Sequence, residues 1–488
     1  MMGFAFVALL IGSVVVALAE NSALATAVAF GLMLAGAEVY ILIKMAGGFT
    51  IAVLPVIAVN LVLLAAPVVW GGVEVAVPVW ARSAGSEEAL IQAALIGMVF
   101  CAAYTAGAVF AGPRAMSLTI TGLGLAGRVR LPNGTFVAIG YACIFLAIYG
   151  YQGALLQGRY LQADGPFWAV AGTVVAVPIA MLFLAVAAAQ QGPWRGLAVV
   201  GIGIIALVCF GRSSRMLALL PFFLIAARAI VSVGKVPTRS VIFAGTATVF
   251  LQLFVLNGRG NPEGVGIIPL GELLFTRPGE AFAGYGVARL FGNVMLSSPL
   301  TSVVANRSIP PETFWVSVNP MPGQLAGWVE IKDSLRVNWF TPYNSLGELA
   351  AHGWLALAVG AAVMGFALAL SSRLLSNFRG AYQIAASLLL LAITLRFSLS
   401  LLQYNLRSSA RHIWYALFGL SAIWIASIVF HRSHLMTEGR ESSATYPNQL
   451  SPNPTLVADP PEVPDPKPHS SRGEQPQSLT QTRESFLR

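Results

Sequence analysis

Phe167 to Ala189 reads FWAVAGTVVAVPIAMLFLAVAAA, a run without one charged residue. About twenty apolar residues in succession are enough for a helix to cross a bilayer. Similar runs lie on both sides of it, joined by short links. Reading the chain at that length gives roughly twelve spans, at 2–19, 23–43, 49–69, 89–111, 135–154, 167–189, 195–210, 216–233, 240–256, 350–371, 381–402 and 412–430. Composition agrees. Of 488 residues 57% are apolar and 10% charged, with a mean hydropathy of +0.75, whereas a soluble protein carries about 25% charge. The expected fold class is an all-α polytopic membrane protein of about twelve transmembrane helices.

Basic residues orient the spans. Lys44, Arg114, Arg128, Arg130, Arg195, Lys235, Arg239, Arg373, Arg379 and Arg432 all fall in links on one side, which the positive-inside rule makes the cytoplasm. Both termini are then cytoplasmic. The first span is expected to be retained, because residues 1–25 lack the basic start of a signal peptide. Four regions result: spans one to nine in 1–256, a large outward loop in 257–349, spans ten to twelve in 350–432, and a polar, Pro-rich tail in 433–488 that should be disordered.

The loop, between the ninth and tenth spans, is about ninety residues long and is too aromatic for a disordered linker. Val287, Leu290, Phe291 and Val294 have the spacing of an amphipathic surface helix, with Arg289 largely on its other face. Arg336 lies further along, and Trp315 and Trp328 suit interface anchors.

Cys101, Cys143 and Cys209 fall in apolar runs and read as buried thiols. No CxxC, HExxH, phosphate-binding loop or GxSxG is present. Asp occurs only at 164, 333, 459 and 465, with no acidic cluster to hold a divalent cation. No metal, cofactor or nucleic-acid partner is expected. The net charge of +9 follows largely from topology, but some arginines sit where that rule does not place them.

Arg212 and Arg215, in Gly211-Arg212-Ser213-Ser214-Arg215, lie at the outer end of the seventh span. Guanidinium forks bind phosphate oxygens, so the pair suits a diphosphate. Arg396 lies inside the eleventh span, where a charge is costly and usually faces a cavity. On a helical wheel Arg396, Ser400, Gln403 and Arg407 fall within about 60° of one another. Arg411 joins them if the helix continues, although a turn is expected near 405–410. Ser345 and Glu348 have capping-box spacing at the start of the tenth span. Alternatively Glu348 is a general base with its pKa raised by burial, or His352 serves in its place.

The paired arginines, the long outward loop and the run Asn344-Ser345-Leu346-Gly347-Glu348 resemble the superfamily of bacterial O-antigen polymerases (Wzy-type) and O-antigen ligases, over residues 1–432. That resemblance implies a membrane glycosyltransferase of polysaccharide biosynthesis in the bacterial inner membrane, acting at its periplasmic face. Donor and acceptor would be glycans linked to undecaprenyl diphosphate. The bilayer and a chain-length regulator would be further partners. Arg212, Arg215 and Arg396 would hold the diphosphate without metal, with Arg289, Arg336, Arg407, Arg411 and Asn344 as further substrate contacts, and Glu348 or His352 would take the acceptor's proton. Ligases of the superfamily have His-Asn ahead of the tenth span. This chain has Tyr343-Asn344, which favours a polymerase. The alternatives are a ligase, or a flippase for lipid-linked oligosaccharide.

Overall fold

A computed structural model of the chain describes residues 23–72, 85–115, 133–159, 162–231, 237–283, 296–321, 323, 325–337, 343–378 and 380–444. Contacts divide the chain into two units, Met1–His431 and Arg432–Arg488. Only 432–444 of the second are described, and they are helical.

The described residues form helices and no strand; Gly158 and Val265 make one isolated bridge. In order the helices are α1 (Ala23–Ala46), α2 (Val53–Gly72), α3 (Glu87–Ala111), α4 (Asn133–Tyr151), α5 (Phe167–Ala189), α6 (Arg195–Gly211), α7 (Met216–Val231) and α8 (Thr238–Arg259). Six short ones follow: α9 (Ile267–Thr276), α10 (Pro278–Ala283), α11 (Ser297–Ala305), α12 (Glu312–Val318), α13 (Trp328–Ile331) and α14 (Ser345–Ala351). Then come α15 (Trp354–Leu374), α16 (Gly380–Gln403) and α17 (Leu406–Ala444).

Among the described residues seven helices are long and apolar enough to cross a membrane, namely α1, α3, α4 with its 3-10 extension to Leu155, α5, α8, α15 with its extension to Asn377, and Ala386–Gln403 of α16. Shorter apolar stretches lie in α2, α6, α7 and α9. All of these but α9, which falls in the 257–349 connection, lie at the positions expected for spans two to eleven, and α17 overlaps the twelfth. The expected span 2–19 lies outside the described residues, as do Arg289, the stripe 287–294 and the tail beyond 444. The segment 433–444, expected to open the disordered tail, is helical.

Close backbone approach sets the packing of α3 against α15. A Cβ on Gly107 would run into the Ala362 carbonyl, and one on Gly365 into that of Tyr104. Small residues give membrane helices such contact where no hydrophobic force draws them together. At the start of α3 the Ser86 hydroxyl accepts from the Ala89 N–H, and Glu87 and Glu88 complement the helix dipole.

The region expected as an outer loop does not lie wholly at the periphery. Ser297, Ser298, Thr301 and Ser302 of α11 are buried. Gly347 makes room for that helix: its Cβ would lie 2.8 Å from the Thr301 carbonyl oxygen.

Candidate functional site

The seventh and eighth expected spans meet in a tight cap. Ser214 N–H donates to the Cys209 carbonyl and Ser213 N–H to that of Phe210, both at 2.9 Å. This pairing closes the end of α6 as a Schellman motif, whose left-handed position is usually Gly. Here it is Ser213, with φ of 44°. The turn leaves Arg212 and Arg215 on either side of it, at the mouth between α6 and α7.

Both arginines line one cavity of about 210 Å³, together with Arg259 at the end of α8 and Arg396 in α16. Tyr151, Thr173, Ser213, Ser214 and Tyr404 complete its polar wall, and no carboxylate among the described residues lines it. Neutral groups contact each guanidinium. Arg212 donates to the Ala154 carbonyl at 3.3 Å and lies over the Tyr151 ring, 4.7 Å from its centroid. Arg215 donates to the Gln403 side chain, and Arg259 to the Ser213 carbonyl at 3.1 Å. Arg396 lies 4.6 Å from the Tyr404 centroid, while its Nε and the Ser213 hydroxyl are buried without a hydrogen-bond partner among the described residues. Arg396 first, then Arg215 and Arg259, pull the Tyr404 pKa down to about 8 against the opposing effect of burial.

The structure thus brings Arg212, Arg215 and Arg396 together. It adds Arg259, Tyr151 and Tyr404, which sequence reasoning did not place at the site. Each lies at the same end of its span as Arg212, and comparing span ends would have found them.

The polar stripe on the eleventh span is corrected. Helix α16 ends at Gln403 and α17 begins at Leu406, so Arg407 leaves the face shared by Arg396 and Gln403. Arg407 is only 2% exposed, donates to the carbonyls of Val316 and Met321, and lies over the Trp328 ring. Arg411 also reaches the Met321 carbonyl, at 3.4 Å, and Trp414 Nε1 donates to that of Val318 at 3.0 Å. These residues fasten the 316–321 segment to α17 and do not line the cavity.

The capping box is corrected as well. Asn344, not Ser345, caps α14, its side-chain oxygen accepting from Gly347 N–H at 2.7 Å. Its amide nitrogen reaches the carbonyls of Ser297 and Leu402, each at 3.2 Å. The Ser345 hydroxyl lies 2.8 Å from the Tyr404 carbonyl and 2.7 Å from the Ser409 hydroxyl. Glu348 is 2% exposed and accepts the first N–H of α17, from Leu406, at 2.8 Å. Burial lifts its pKa to about 8, the Leu406 N–H opposing. The run Asn344–Glu348 therefore grips the break between α16 and α17 that carries Tyr404.

His352 lies apart from the cavity, 3.4 Å from the Thr313 hydroxyl and edge-on to Phe314; burial lowers its pKa. Arg336 donates to the Tyr343 hydroxyl at 2.8 Å and packs on that ring, also away from the cavity. The chain matches no family model, no curated protein and no solved structure.

Proposed function

We propose that the protein is a membrane glycosyltransferase that polymerises oligosaccharide repeat units carried on undecaprenyl diphosphate. In this reading it crosses the bacterial inner membrane about twelve times, with both termini cytoplasmic and the 257–349 connection outside. One observation carries the proposal: among the described residues, four arginines and no carboxylate line a single cavity between helix ends. Guanidiniums gathered at one partly buried site repel one another. An anion with several oxygens relieves them, and a diphosphate offers its oxygens to several guanidinium forks at once.

The acceptor's hydroxyl oxygen forms a bond to the donor's anomeric carbon as the carbon–oxygen bond to the diphosphate breaks. The diphosphate departs with the electron pair, its charge stabilised by Arg212, Arg215, Arg259 and Arg396. The hydroxyl proton passes to the Tyr404 phenolate, whose pKa of about 8 keeps an accepting fraction available near neutral pH. Glu348, set on the Leu406 N–H and buried, acts with Asn344 as a positioning residue for the Tyr404 turn.

The test is extension of a diphosphate-linked repeat unit by the purified full-length protein, with and without chelator. Arg212→Ala and Arg215→Ala should each abolish extension while cells carrying them still display single-unit glycan. Full-length polymer from either variant refutes the assignment. Cells that display no unit at all would instead indicate a flippase.

A further inference from the structure

Helices α6, α7 and α8 carry arginines at both ends. Arg212, Arg215 and Arg259 stand at the ends that form the cavity above. Arg195 is the first residue of α6, Arg228 lies in the last turn of α7, and Arg239 is in the first turn of α8. The 17 residues of α6 put the two sets about 25 Å apart along the helix. These opposite ends enclose a second and larger cavity, of about 840 Å³.

The two cavities differ in chemistry. All three arginines line the larger one and, among the described residues, no carboxylate does. Its remaining wall is mostly aliphatic and aromatic, including Leu220, Leu224 and Phe243. Leu224 and Phe243 are 40% and 74% exposed. A free phosphate gains nothing from such a wall. A zwitterionic headgroup brings an ammonium for which three guanidiniums offer no partner. Basic pockets between membrane helices on the cytoplasmic side suit anionic headgroups, and a volume of this size suits a bound small molecule.

We propose that this cavity binds an anionic phospholipid of the surrounding bilayer. The phosphate sits among Arg195, Arg228 and Arg239, and the acyl chains lie along Leu220, Leu224 and Phe243. The site requires only that these helices span a membrane with these ends on the cytoplasmic side, and it stands whether or not the protein transfers sugars.

The full-length protein in mild detergent is offered phosphatidylglycerol, phosphatidylethanolamine or undecaprenyl diphosphate, and retained lipid is counted by native mass spectrometry. Wild type should retain phosphatidylglycerol and not phosphatidylethanolamine. Combined Arg195→Gln, Arg228→Gln and Arg239→Gln should reduce retention at least tenfold. Lys44→Gln, at the end of α1 and outside the cavity, should leave it unchanged. Leu224→Trp fills the cavity with its charges intact and should also displace the lipid, which keeps the test open if the triple variant fails to fold. Equal retention of both phospholipids, undiminished retention in the triple or Leu224→Trp variant, loss in Lys44→Gln, or preference for undecaprenyl diphosphate overturns the proposal.

Discussion

Arg396 and Arg407 stand on either side of the break at Asn405, and their surroundings have little in common. Arg396 shares a cavity with three other arginines and rests on the Tyr404 ring, although the Nε of both residues is buried without a hydrogen-bond partner among the described residues. Arg407 spends both terminal nitrogens on the carbonyls of Val316 and Met321. A guanidinium occupied by backbone oxygens organises the chain. One that faces like charges across open space awaits an anion. Residue type and helical register do not separate the two cases; the direction of the turn between them does.

Exchanging each for alanine tests this contrast most severely. Arg396→Ala should lower the extension rate by about 100- to 1,000-fold, the loss typical of removing a donor to a charged transition state, with little change in melting temperature. Arg407→Ala should do the reverse. It costs about 2–3 kcal/mol as hydrogen bonds from a charged group are lost and exposes the 316–321 segment to proteolysis, while extension persists. The opposite pattern in rate and melting temperature would sink the comparison.

Tyr404→Phe sharpens the cavity side. It keeps the ring beneath Arg396 and removes the ionisable hydroxyl. Wild-type activity should rise with pH through about 8 as the phenol loses its proton. The variant should show a flat profile and run about 100-fold slower above that pH, the usual contribution of a general base. A rise of the same size in Tyr404→Phe would remove Tyr404 from the mechanism.

Glu348→Gln sharpens the other side through stability. The folded-state pKa of Glu348 is raised to about 8 from an ordinary value of 4.5. The native state therefore holds a proton that the unfolded chain releases between those values. The stabilisation is complete below about 4.5 and is lost as pH rises through about 8. Wild-type melting temperature should fall across this window, and that of the glutamine variant should fall less. Parallel declines would contradict the buried, protonated carboxyl.

The smallest expected effect is at the α6 cap. Ser213→Gly relieves a left-handed backbone, and a gain of up to about 1 kcal/mol is expected. A melting temperature lower than wild type would show that the Ser213 side chain is itself needed there.

Much of the fold was legible because apolar runs of span length admit few alternatives. The helices from α1 to α8, α15 and α16 begin and end near the expected limits, whereas α17 runs past both ends of the expected span 412–430. The arginine pair at 212 and 215 and Arg396 within an apolar helix were legible for the same reason: charge where hydropathy disfavours it stands out. Arg259 was hidden because a charge at the start of a polar loop is unremarkable. Tyr404 was hidden because its acidity comes from guanidiniums on three different elements. Glu348 was singled out as a local cap or a base. Its partner, Leu406, is remote in sequence, and no helical periodicity links two residues across a bundle.

The grip of Asn344–Glu348 on the break between α16 and α17 has a mechanical consequence. Asn344 holds the Leu402 carbonyl, Ser345 that of Tyr404, and Glu348 the N–H of Leu406. The final turn of the long connection and the rim of the arginine cavity therefore form one linkage. A displacement of that turn carries the backbone on both sides of Tyr404 with it, and the ring that lies against Arg396 follows.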